Sequence, residues 1–168
     1  MVLVTFLPAS LYERIERSIP LACVDFVPVR TIEGETEVGL ILRDSPFGRV
    51  WCHLGGRILR GESIAGALRR HAADTLGPDV AIALPDDPQP DYVYQWFPPE
   101  IAPADAPVHG DDPRKHAIGL SFAVSMSGEP SPRSEAHEFA YARLDHLPNP
   151  LWPGTRDLLT RLVPCQIS

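Results

Sequence analysis

The chain has 168 residues, enough for one domain around a single core over residues 1–168 and too few for a second of comparable size. A formal net charge of −7 and a pI near 5.3 speak against a protein that wraps nucleic acid, which presents a basic face, and favour a small ligand. Cys23, Cys52 and Cys165 are far apart, with no C-x-x-C pair to suggest zinc or a disulfide framework. No stretch reads as a signal or a membrane span, so the expectation is a soluble cytoplasmic protein.

In chain order, Leu11, Ile15 and Ile19 fall at helical spacing behind Ser10, which reads as the cap of a short amphipathic helix ending at Pro20. Residues 21–29 are apolar and β-branched and read as a strand; 33–35 form a turn and 37–43 the returning strand, giving a hairpin. Residues 44–48 read as a turn and 50–54 as a short strand, which Gly55 and Gly56 break before an Arg-Gly loop ending at Glu62. A helix then runs to about Leu76, apolar at Ile64, Ala67, Leu68 and Ala72, with Arg70, His71 and Asp74 on its other face. Gly77 and Pro78 stop it.

Further strands are expected at residues 91–97, 116–125 and 138–144, with a last helix near 154–162, a mixed α+β pattern. The 19 prolines point to long, stiff loops, and residues 98–115, polar, acidic and proline-rich, form a loop of a length that is usually either functional or disordered. Lys115 is the only lysine among 15 basic residues. Arginine suits bidentate contact with phosphate, so the placement of particular arginines, Arg43, Arg57 and Arg70 among them, carries the information.

Residues 56–77 resemble the Nudix box, G-x5-E-x7-R-E-U-x-E-E-x-G-U, with Gly56, Glu62, Arg70 and Gly77 matching its skeleton. The resemblance implies the Nudix fold, a mixed β-sheet sandwiched between helices, and a Glu62–Arg70 ion pair tying loop to helix. A loop leading into a helix N-terminus also suits a diphosphate. In the family, acids on this helix hold magnesium or manganese; here those positions are His71, Asp74 and Thr75, one carboxylate in place of three.

Within that family the chain resembles the GDP-mannose mannosyl hydrolase branch. Residues 18–26 resemble its first strand and carry over Asp25 as a residue beside the sugar. Gly55, Gly56 and Arg57 resemble the opening of its box, implying the Gly55 carbonyl as a metal ligand and Arg57, with Arg70, as diphosphate contacts. Residues 135–139 resemble its late loop and make His137 the candidate general base, suited by a pKa near neutrality. Two ligand positions of that branch correspond to Thr75 and Ala136, which do not bind magnesium.

Three functions remain open at this point. The first is a hydrolase of a nucleoside-diphosphate-linked substrate, a nucleotide sugar by resemblance, with Asp25, Arg43, Arg57 and Arg70 on the substrate, His137 as base, and magnesium or manganese held by Gly55, His71 and Asp74. The second is a binding protein for a nucleotide or nucleotide sugar that has lost catalysis. The third uses His71 and Asp74 with Glu135 or Glu138 for a softer metal. Trp51, Trp96, Tyr92 and Tyr94 either stack on a base or pack in the sheet, and His53 is either cleft lining or core; His109 and His116 flank the long loop. Leu3, Phe6 and Leu7 are candidates for a homodimer contact.

Overall fold

The computed structural model describes residues 7–164. The expectations resting on Leu3, Phe6 and Cys165 lie outside the described residues.

Helix α1 spans Ala9–Glu16 and begins earlier than Ser10 implied. Pro8 is the cap: its carbonyl receives the Leu11 and Tyr12 amides at 3.0 Å, and Ser10, already inside the first turn, makes no capping bond. The proline ring fixes φ near the value a helix entry needs, so the chain turns there without a side-chain cap.

Strand β1 (Leu21–Ile32) and β2 (Glu35–Ser45) join through Glu33 and Gly34, both at positive φ, the two-residue connection whose twist matches antiparallel strands. Both strands outrun their apolar patterns because the outer end of the hairpin is polar and exposed, held by pairs such as Arg30 with Glu37 at 2.6 Å. β3 (Gly48–Cys52) returns antiparallel on β2.

Gly55 and Gly56 do not break the chain. They lie within β4 (Leu54–Arg57), antiparallel to the inner half of β1, opposite Asp25 and Val24. A Cβ on Gly55 would fall 2.0 Å from the Val24 carbonyl oxygen, so glycine is what lets the two strands close.

Ser63 caps α2 (Ile64–Leu76), its Oγ accepting the Gly66 amide at 3.0 Å, and Gly77, at φ 92°, ends it. After it come β5 (Ala81–Ala83), β6 (Tyr92–Phe97), β7 (Gly110–Asp111), β8 (Ala117–Ser127), β9 (Ala136–Arg143) and α3 (Thr155–Leu162). The sheet runs β3-β2-β1-β8-β6-β7, with β4 also on β1, β5 on β8 and β9 on β2. β1 and β8 are parallel and central; most other pairs are antiparallel, which makes the sheet mixed. α2 packs on β4 and β1 and α3 on β6 and β8. Leu68 and Leu76 of α2 and Leu158 and Leu159 of α3 are fully buried, each contributing roughly 1.5–3 kcal/mol by leaving water.

Residues 98–115 are mostly turns and extended connections, as their composition suggests. They contain a 3-10 turn at Pro99–Ile101 and strand β7, and are pinned by the Asp112 amide on the Phe97 carbonyl (2.9 Å) and by Trp152 Nε1 on the Asp111 carbonyl (2.7 Å). These anchors come from residues distant in sequence, so composition does not reveal them. Among the described residues no helix is long and apolar enough to cross a membrane.

Candidate functional site

A cleft of about 400 Å³ opens beside α2, between β1, β3, β4, β6 and the end of the 98–115 segment. Of the box, substrate, metal and catalytic residues expected from sequence, Asp25, Arg43, Gly55, Gly56, Arg70, His71 and Asp74 line it. Arg57, Glu62, Gly77 and His137 do not.

The box forms a closed hydrogen-bonded unit at one wall. Arg70 donates through Nε to Glu62 Oε1 (2.6 Å) and through Nη2 to Oε2 (2.9 Å), and Oε2 also accepts the Leu59 amide at 3.0 Å. Arg70, foremost, holds the Glu62 carboxyl below the usual carboxylate range. The Arg57 carbonyl accepts from Arg70 Nη2 (3.0 Å) and from His71 Nε2 (3.1 Å). That bond requires Nε2 to carry the proton, and burial pushes the His71 pKa below its ordinary value, so the ring is held neutral. Gly56 makes room for it, since a Cβ there would meet His71 Cε1 at 2.8 Å.

Arg57 thus serves the box through its main chain, while its guanidinium leaves the cleft and stacks on Tyr12 of α1, 3.9 Å from the ring centroid. It lines a separate apolar groove with Leu7, Tyr12 and Ile58. His137 is exposed and lies against Asp44, Nε2 to Oδ2 at 2.8 Å. Side chains alternate along β2, and Arg43, the neighbour of Asp44, is the one that lines the cleft.

Asp25 is 4% exposed and sits on the cleft floor. Its Oδ2 accepts Trp96 Nε1 (2.9 Å) and its Oδ1 lies 3.3 Å from His53 Nε2, while the His53 ring stacks on Trp96 at 5.0 Å. Gly119 clears the space, because a Cβ there would fall 2.0 Å from Asp25 Oδ2. Cys23 and Cys52 also line the cleft, but burial pushes their thiols up to about 11 and about 12, leaving them protonated and poor nucleophiles.

The rest of the cleft wall carries residues that the motifs did not indicate. Arg114 is gripped by buried Asp112 (Nε to Oδ1 and Nη2 to Oδ2, both 2.9 Å), with its guanidinium 5.1 Å from the Trp152 ring. Arg43 pairs with Glu135 at 2.6 Å, its guanidinium 5.8 Å from the same tryptophan ring, and Lys115 completes the wall. The sequence holds one cue to this wall, the adjacent Arg114 and Lys115 at the end of the proline-rich segment. Trp152 arrives through the pairing of its segment with β3, where its amide reaches the Trp51 carbonyl at 2.9 Å, and no local pattern announces that.

The box does not offer a donor set for magnesium or manganese. His71, with Nε2 on the Arg57 carbonyl, has only Nδ1 to offer, Thr75 is buried at 2% exposure, and Asp74 is the one carboxylate on this face of α2. No group of three or more His, Cys, Asp or Glu among the described residues is placed to share an ion, whereas these dications take about six oxygen-rich ligands.

This architecture, a mixed sheet between helices with a Glu62–Arg70 box under the cleft, is the Nudix fold. Residues 4–151 match the model of DUF4916, a domain of unknown function, and the chain belongs to that family. A solved structure from Jonesia denitrificans DSM 20603, described as a possible asymmetric diadenosine tetraphosphate hydrolase, is 32% identical over 86% of this chain and 92% of its own, with a TM-score of 0.72. The MutT Nudix hydrolase of Burkholderia pseudomallei is 23% identical over 87% of this chain and 100% of its own (TM-score 0.65). The Nudix domain of Shewanella oneidensis NrtR, solved with ADP-ribose, is 15% identical over 92% and 96% (TM-score 0.56), a likeness of fold. No curated protein matches the sequence.

Proposed function

We propose that the cleft binds a nucleoside-diphosphate-linked compound, a nucleotide sugar or a dinucleoside polyphosphate, and that metal-dependent cleavage by the box helix has been lost. One observation carries this reading: Arg43, Arg114 and Lys115, all from outside the box, line the same cleft as α2, while the box itself lacks the acids for a dication. Guanidinium and ammonium groups are the side chains that grip phosphate. The description of the Jonesia protein as a possible diadenosine tetraphosphate hydrolase supports the same ligand class. Asp25 and His53 at the floor then face the part of the ligand beyond the phosphates, where a carboxylate and an imidazole suit sugar hydroxyls.

The test is a panel of nucleoside diphosphates, nucleotide sugars, ADP-ribose and diadenosine tetraphosphate, read by melting temperature and by product analysis. A ligand that raises the melting temperature and is recovered intact supports the reading; a panel with no binder sinks it.

A second reading, hydrolysis of that ligand, is favoured by two histidines that each lie against a carboxylate, the arrangement that orients an imidazole for proton transfer. His137 lies against Asp44 and His53 against Asp25, and of the two His53 lines the cleft. Turnover abolished by His137→Ala assigns the base to the start of β9, the residue the resemblance implies. Turnover abolished by His53→Ala alone assigns it to the cleft floor.

A further inference from the structure

Three of the four long cations of the cleft already have a carboxylate partner: Arg43 has Glu135, Arg70 has Glu62 and Arg114 has Asp112. Lys115 has none among the described residues. It is half-buried, its amide fixes it to the Asp112 carbonyl at 3.3 Å, and its charge is felt by the Cys23 thiol on β1. An ammonium held partly out of water without a counter-ion gives up hydration and gains nothing in exchange, so an anion placed beside it binds more strongly than one beside a paired arginine.

The dication that commonly shields a diphosphate lacks a ligand set here. From these two facts together we infer that Lys115 takes that place: the cleft recognises the diphosphate as a metal-free anion, with Lys115 as its principal counter-charge and Arg43 and Arg114 as flanking donors. The inference rests on the proposed ligand class and adds to it the ionic form in which the ligand is taken. Asp25 and Asp74, the remaining cleft carboxylates, do not compete for Lys115. Asp25 is occupied by Trp96 and His53, and Asp74 is exposed at the α2 edge, 3.9 Å from Arg70.

Because magnesium binds diphosphates in solution, a metal-free site must compete with it. The expected result is therefore affinity for ADP-ribose or a nucleoside diphosphate that is full in EDTA and unchanged or weaker in excess magnesium. Titration calorimetry of the whole chain, in EDTA and then with magnesium at several millimolar, measures this directly. Lys115→Met keeps the stem and removes the charge, and should weaken binding about tenfold in EDTA, with Lys115→Arg recovering most of the loss. Circular dichroism and melting of each variant show whether it is folded, and the wild-type comparison of EDTA with magnesium tests the inference without any substitution. Binding that appears only with magnesium, or that Lys115→Met leaves unchanged, overturns the inference while the ligand class stands. Absence of binding in both conditions overturns the ligand class and this inference with it.

Discussion

At the scale of single residues, the box separates groups that hold the wall together from groups that face the ligand. Glu62 accepts two bonds from Arg70 and one from the Leu59 amide, with its side chain 9% exposed. Glu62→Gln removes the charge from a desolvated pair and leaves the guanidinium only the more distant Asp74, at 3.9 Å, so it should cost about 2 kcal/mol in urea unfolding. His71 gives a pH dependence with a definite sign. Burial first, partly countered by the Arg57 carbonyl, sets its folded-state pKa below the ordinary value. Its contribution is thus full above the unfolded pKa of about 6.5 and lost as the pH falls through the folded value. His116, stacked on Phe97 and also lowered by burial, acts in the same direction. Melting temperature should fall between about pH 7 and pH 5, and His71→Gln should flatten that fall; an unchanged slope would count against a neutral buried ring.

At the scale of elements, β1 decides where the site lies, since it pairs with β4 on one stretch and β8 along the other edge, placing Asp25 where the two meet. Gly119 on β8 leaves the carboxylate its space, and Gly119→Ala puts a methyl group within 2.0 Å of Asp25 Oδ2 and 3.1 Å of the Tyr94 carbonyl oxygen. The strands are too firmly paired to move, so Asp25 must leave Trp96 and His53. A loss of about 2 kcal/mol in stability is expected, together with weaker ligand binding, checked by urea unfolding and calorimetry. A wild-type melting curve in this variant would show that the carboxylate is free to shift. How much of this was legible in the sequence follows from how local each signal is. The helix α2 was plain because Ala67, Leu68 and Ala72 bury one face and Gly77 stops it, all within a few turns. β4 was misread because paired glycines signal a break to any local rule, and only the nearness of Val24 on β1 explains why a strand needs them. Asp25, Arg70 and the box positions were reached through the resemblance, and Arg43 through the suitability of arginine for phosphate. The wall of Arg114, Lys115 and Trp152 was not, because it is assembled by contacts spanning tens of residues, such as Trp152 Nε1 on the Asp111 carbonyl.

At the scale of the molecule, a chain of net charge −7 is proposed to take up an anion, and the two charge scales make opposite predictions for salt. If the overall negative field governs, added salt screens the repulsion and binding tightens. If the local cations govern, added salt weakens their hold and binding loosens. The screening length decides between them: it is ~13 Å at about 0.05 M and ~4 Å at about 0.5 M ionic strength. Most of the acidic groups lie on the outer surface, beyond reach of the cleft once the salt is moderate, whereas Lys115, Arg43 and Arg114 line the cleft itself. Their attraction is short-range and lies partly inside protein, so it weakens gradually and dominates throughout. Affinity for a nucleoside-diphosphate ligand should therefore fall, by roughly three- to tenfold between those two ionic strengths, when followed by calorimetry in EDTA. Lys115→Met should show a shallower fall than the wild type, because one of the screened charges is gone. Binding that strengthens with salt would assign the recognition to apolar and hydrogen-bonding contacts at the Asp25, His53 and Trp96 floor and remove the phosphate wall from the account.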